Sequence, residues 1–164
     1  MEQIIGSLDS KLAEIYSDLI DEDILTQEQG GMFIVSLNGE HAIKHPHYES
    51  EPADWPAQVK VLIREYEIGS ELGKQGVNVP EMHGVYTGTE TKMPFLVMQR
   101  LHLTKLEDLN RADKTEAKTK YDEQITLAEK AGYIPGDVSE CDNCGFDKKT
   151  RMVWFYDLED WEKK

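Results

Sequence analysis

Apolar residues at Ile4, Ile5, Leu8, Leu12, Ile15 and Leu19 recur at helical spacing, which predicts an amphipathic helix over 3–20. The acidic break Asp21-Glu22-Asp23 follows, then a short Ile24-Leu25 run and Gln27-Glu28-Gln29-Gly30-Gly31. Met32–Leu37 is rich in strand formers, Asn38-Gly39 is the strongest hairpin signal in the chain, and Glu40–Lys44 reads as the return strand. A polar loop bearing Pro46, Pro52 and Pro56 leads into a second helix over 55–75. Asp54 is its candidate N-cap, Val59, Leu62, Ile63, Tyr66 and Leu72 form its apolar side, and Gly76 ends it. Met82–Thr87 and Phe95–Gln99 read as strands joined by a turn containing Gly88, and Thr104–Asn110 as a short helix. Asp113 and Glu116 have capping-box spacing, so a third helix is expected from Asp113 to about Ala131, with Tyr121, Ile125, Ala128 and Ala131 on one face and Gly132 just past its end. Val138–Asp147 is loop-like with a short strand at Cys144–Phe146, and Val153–Tyr156 is the last strand. This order of elements makes the fold class α+β with antiparallel pairing.

Charge narrows the function. The 164 residues hold 18 Lys and Arg against 32 Asp and Glu, a formal net charge of −14. Binding to nucleic acid by phosphate neutralisation, or to an anionic membrane surface, needs the opposite sign, so neither partner is expected. The apolar stretches are too short to span a bilayer. Met1-Glu2-Gln3 starts no basic segment followed by an apolar core, so no signal peptide is expected and the compartment predicted is the cytoplasm. Cys141 and Cys144 stand as Cys-x-x-Cys, but the five His (41, 45, 47, 83 and 102) lie far upstream and unpaired. Neither a zinc site nor a disulfide framework follows, and the two are read as reduced thiols.

The charged residues at element ends carry more. Lys44 ends a strand as Ala-Ile-Lys, Glu65 lies in the following helix, Asp137 follows the third helix, Asp142-Asn143 come next, and Asp157 ends the last strand. Taken singly, each is an ordinary surface or turn residue. In this order they supply what phosphoryl transfer requires: a cation beside a polyphosphate, a carboxylate to hold that cation, hard oxygen ligands for Mg²⁺, and a base or orienter for the acceptor hydroxyl.

At these residues the chain resembles the protein-kinase-like superfamily, and most of all its small atypical members, the lipopolysaccharide-kinase, aminoglycoside-phosphotransferase and RIO-like group. His41-Ala42-Ile43-Lys44 is similar to the family's Val-Ala-Ile-Lys strand. Arg64-Glu65 with Gly76-Val77-Asn78-Val79-Pro80 resembles its helix-to-strand signature. Phe95–Leu101 resembles the strand and hinge against which adenine packs, Gly136-Asp137 through Asn143 the catalytic loop, and Val153–Asp157 the strand leading to a metal-binding Asp. The resemblance covers roughly residues 24–160.

It implies an antiparallel-sheet N-lobe with its hinge at 23–101, a minimal, truncated helical C-lobe at 102–164, and an extra N-terminal helix at 1–22. It also implies ATP and Mg²⁺ as cofactors. Lys44 would contact the α- and β-phosphates and pair with Glu65, Asp137 would be the catalytic base or orienter, and Asn143 and Asp157 would hold Mg²⁺. Gly30 and Gly31 would be what is left of the phosphate loop. Backbone amides at Gln99–Leu101 would meet the adenine edge, with Met98 guarding the back of the pocket.

Departures accompany the likeness. Gly30-Gly31 lacks the full G-x-G-x-x-G, Pro135 replaces the catalytic-loop His, and Asp-Leu-Glu stands for Asp-Phe-Gly. The Asp137-to-Asn143 spacing is one residue longer than the family's, so Asp142 competes with Asn143 as metal ligand. Few residues follow Asp157, where the family builds its activation segment and helical platform. Three functions follow: a miniature kinase acting on a protein or small-molecule hydroxyl, a pseudokinase that binds a protein partner without catalysis, and an acidic decoy. The first helix is expected to pack over the small lobe.

Overall fold

The computed structural model describes residues 1–6, 8–22, 27–29, 33–47, 51–136 and 143–164. They fall into two compact units, one made of 1–66 and 82–100, the other of 67–81 and 101–164.

The first unit holds strands β1 (Glu2–Gly6), β2 (Gln27–Gln29), β3 (Phe33–Asn38), β4 (His41–Pro46), β5 (Met82–Thr87) and β6 (Pro94–Gln99), helix α1 (Ser10–Asp21), and the larger part of helix α2 (Trp55–Lys74). The strands form one antiparallel sheet in the order β1-β5-β6-β4-β3-β2. In β4 and β6 the register pairs Ala42 with Met98, Ile43 with Val97 and Lys44 with Leu96. Side chains alternate along a strand, so this register sorts the sheet into two faces. Ile43, Val97, Tyr86 and Phe95 share one face, and Ala13, Tyr16 and Ile20 of α1 pack on it. Each such fully buried large side chain contributes about 1.5–3 kcal/mol. Ala42, Lys44, Leu96 and Met98 lie on the other face. Residues 42–46 are all buried, as expected of a strand covered on both sides.

The segment expected as a helix over 3–20 divides in two. Glu2–Gly6 is instead an edge strand antiparallel to β5, and the helix begins only at Ser10. Asp9 sets that start, since its Oδ1 accepts the amides of Lys11 (3.0 Å) and Leu12 (3.3 Å). The apolar pair Ile4-Ile5 serves either period, which is why the pattern alone ran on through it. At the β1–β5 crossing Gly6 faces Gly84. A Cβ on Gly84, whose φ is +150°, would sit 2.6 Å from the Ile5 carbonyl oxygen. Gly84→Ala is therefore expected to cost about 1–3 kcal/mol, read as a lower urea midpoint. An unchanged midpoint would mean that β1 is not held there.

The β3–β4 hairpin turns one residue later than Asn38-Gly39 suggested. Asn38 pairs with His41, and Gly39, at φ +59°, is the first central residue, the position where a type II′ turn wants glycine. Asp54 does not cap α2 but ends a 3₁₀ turn, Pro52–Asp54, that runs straight into it. At the far end of α2, Val77 N bonds Leu72 O and Gly76 N bonds Gly73 O, both at 3.1 Å, closing the helix in a Schellman motif.

The second unit contains the end of α2, helix α3 (Arg111–Lys130), and strands β7 (Tyr133–Ile134), β8 (Cys144–Asp147), β9 (Met152–Phe155) and β10 (Glu162–Lys163). β8 and β9 form an antiparallel hairpin, and β7 pairs with β10. Phe146, Phe155, Leu158 and Trp161 centre its core, with Phe155 5.6 Å from the Tyr121 ring and 5.4 Å from Trp161. The expected short helix at 104–110 reduces to a 3₁₀ turn, Leu106–Asp108. The cap of α3 is Asn110 rather than Asp113: Asn110 Oδ1 accepts the Asp113 amide (3.0 Å) and its Nδ2 donates to Asp113 Oδ2 (2.8 Å). Arg151 ties the hairpin tip to α3 through Asp113 (2.8 Å) and Glu116. Cys144 is buried and forms no disulfide among the described residues, while Cys141 lies outside them. No described helix is long and apolar enough to cross a membrane.

Tyr133 Oη donates to Glu71 Oε2 at 2.7 Å, and Lys163 Nζ donates to both oxygens of Glu71. Burial, and then the bond to Glu71, push the Tyr133 phenol up to about 12. A raised folded-state pKa favours the neutral phenol. Its contribution to stability is complete below about pH 10, the unfolded value, and is lost as pH rises toward about 12. Tyr133→Phe should flatten the stability curve between these pH values in alkaline urea titrations. A curve as steep as that of the wild type would remove Tyr133 as the source.

Candidate functional site

In the first unit, β4 presents Lys44 on the sheet face opposite α1. Glu65 lies one helical turn beyond Leu62 on α2, and both Leu62 and Glu65 are fully buried. Lys44 Nζ donates to Glu65 Oε2 at 2.7 Å, with side-chain exposures of 5% and 1%. Two charges so far from water are a costly arrangement. An ion pair of this kind is kept where the charge itself is used or where it fixes a particular packing.

Met98 is buried on the same sheet face as Lys44, opposite Ala42. Half-buried Gln99 pairs with His41 at the end of the ladder. Arg100 N donates to Glu40 O at 2.8 Å, so that amide is already committed. Of the three amides expected at the adenine edge, that of Arg100 thus bonds within the sheet. Leu101, half-buried, begins the second unit. Gly30 and Gly31 lie outside the described residues.

In the second unit, the β8–β9 hairpin determines where the metal candidates stand. Cys144 pairs with Phe155, so Asn143 and Tyr156 are the next opposed positions, and Tyr156 N donates to Asn143 O at 3.0 Å. The hairpin thus brings Asn143 and Asp157 to one end. Both are non-glycine residues in left-handed backbone, at φ 57° and 58°. Such conformations cost energy and cluster at functional sites. Asp157 and Glu159 are half-buried, with carboxylate oxygens within 4.8 Å of each other. Glu159 was not among the expected ligands, because the resemblance draws attention to the glycine that it replaces. Carboxylates at i and i+2 around a strand end were the available signal. Carboxylate and amide oxygens are the donors Mg²⁺ prefers, so this set fits the ion. Asp137 and Asp142 lie outside the described residues.

No family model matches the sequence, and no curated protein matches it. Solved structures do. Among 380 matching chains is a co-crystal structure of WbdD and the kinase inhibitor LY294002, with a TM-score of 0.59 and 17% identity over 85% of this chain. The fold is protein-kinase-like. At that identity the likeness carries the fold alone, and the matched stretch is 33% of the WbdD chain. Within the kinase-like fold, the strand lysine and helix glutamate named from the sequence are in contact, and the hairpin groups Asn143 with Asp157.

Proposed function

We propose that the protein is an ATP- and Mg²⁺-dependent phosphotransferase acting on a hydroxyl of a protein or small molecule. The observation that carries this reading is the buried 2.7 Å pair of Lys44 and Glu65 on the kinase-like fold. Glu65 fixes the Lys44 ammonium, which then offers a positioned charge to the α- and β-phosphates. Positioned charge is the main catalytic device in phosphoryl transfer. Asp157, with Asn143 and Glu159, would hold Mg²⁺, which supplies neutralisation of phosphate charge when bound. The Leu101 amide and Met98 would line the adenine position. The acceptor oxygen forms its bond to the γ-phosphorus as the bond to the β–γ bridging oxygen breaks and ADP departs. The acceptor's proton passes to Asp137.

The test is calorimetric titration of ATP with and without Mg²⁺, followed by an assay of ATP turnover with Asp137→Ala as control. Binding that tightens with Mg²⁺, and turnover abolished by Asp137→Ala in a folded protein, are the expected results. Mg²⁺-dependent binding without turnover would favour the non-catalytic, partner-binding reading. The absence of ATP binding in a folded protein would end the phosphotransferase reading and turn the search to a protein partner.

A further inference from the structure

Asn78 makes three hydrogen bonds within the second unit. Its backbone amide donates to Gln124 Oε1 at 2.6 Å, its side-chain Nδ2 donates to Val153 O at 3.0 Å, and its carbonyl accepts from Phe155 N at 2.9 Å. The last two lie along β9, on the edge that β8 does not use, at alternate residues. A single residue outside any strand thereby makes two hydrogen bonds to the outer edge of β9. Gln124, buried at 4% exposure, anchors Asn78 in turn to α3.

What β9 carries explains why this matters. Phe155 is two residues before Asp157, whose backbone is left-handed at φ 58° and ψ 64°. A non-glycine residue holds that conformation only where its surroundings over-determine it. On one side the β8 register and the Tyr156–Asn143 bond fix the approach to Asp157. On the other side the fixing bonds come from Asn78.

We infer that Asn78 is a positioning residue that sets the Asp157 carboxylate for Mg²⁺ by clamping the outer edge of β9. The inference rests on the phosphotransferase reading. Groups that orient metal ligands from behind typically change metal affinity by about 10–100-fold when removed.

The experiment measures two affinities for wild type and Asn78→Ala: ATP without divalent metal, and Mg²⁺ in the presence of saturating ATP by competition with Mn²⁺ in electron paramagnetic resonance. Asn78→Ala is expected to weaken Mg²⁺ about tenfold while leaving metal-free ATP affinity within about twofold. A purely structural role would move both affinities or neither. Should Asn78→Ala not fold, Gln124→Met, which removes only the anchor of Asn78, is read in the same way. Equal Mg²⁺ affinity in wild type and the folded variant overturns the inference and leaves the phosphotransferase reading standing. If wild type itself binds ATP without any gain from Mg²⁺, that reading fails first and this inference with it.

Discussion

Lys44→Met is expected to destabilise the protein by about 3–5 kcal/mol, because it leaves the Glu65 carboxylate buried without its cation. Glu65→Leu should cost a similar amount by stranding the ammonium. The double variant Lys44→Met/Glu65→Leu removes both charges and fills the space with carbon, and buried pairs replaced in this way often give neutral or higher stability. Stability is therefore expected to fall in each single variant and to return in the double one. Activity should follow a different course. On the proposed phosphotransferase function, any variant without Lys44 should lose the positioned charge on the phosphates, a loss of about 10²–10³ in turnover, and the double variant should not recover it. Urea denaturation and an ATP-turnover assay on the same four proteins separate the two roles. Equal additive losses in the double variant would show that the 2.7 Å contact is not a coupled pair in solution. Full turnover in the stable double variant would remove Lys44 from the chemistry.

The contact between Lys44 and Glu65 explains how much of this protein could be read in advance. Both residues sit on elements with strong local signals. β4 follows a glycine turn, and α2 is a long periodic helix closed by Gly76 just past its last residue, Lys74. Where local preference and tertiary need agree, the pattern gives both the element and the residue it delivers. The misses occur where they diverge. Ile4 and Ile5 fit a helix as well as a strand, and only pairing with β5 makes them β1. β2, β7 and β10 are two or three residues long, too short for any period to register. Asn110 and Asp113 are both good caps, and the structure uses the first. In the candidate site, Lys44, Glu65, Asn143 and Asp157 were named by order along the chain. Glu159 and Asn78 were not, since one matters by proximity to Asp157 and the other by hydrogen bonds to a strand 75 residues away. Such relations exist only in three dimensions.

Asp157 offers a second test, in which stability and function are expected to separate. Its left-handed backbone, φ 58° and ψ 64°, is a conformation that glycine adopts without the Cβ penalty and alanine does not. Asp157→Gly should therefore be more stable than Asp157→Ala by about 1 kcal/mol. Both variants lose the carboxylate, and both are expected to lose the gain in ATP affinity that Mg²⁺ gives the wild type. If Asp157 served only the fold, both variants would keep the gain in ATP affinity that Mg²⁺ gives. If it holds the metal, the glycine variant is more stable than the alanine variant, yet both are blind to Mg²⁺ across a titration. That combination is the mark of a residue kept in a strained position for its chemistry. The opposite result, with Mg²⁺ tightening ATP equally in wild type and both variants, would place the metal on other oxygens, and would leave the strain at Asp157 to be explained by the 3₁₀ turn it opens at Leu158–Asp160.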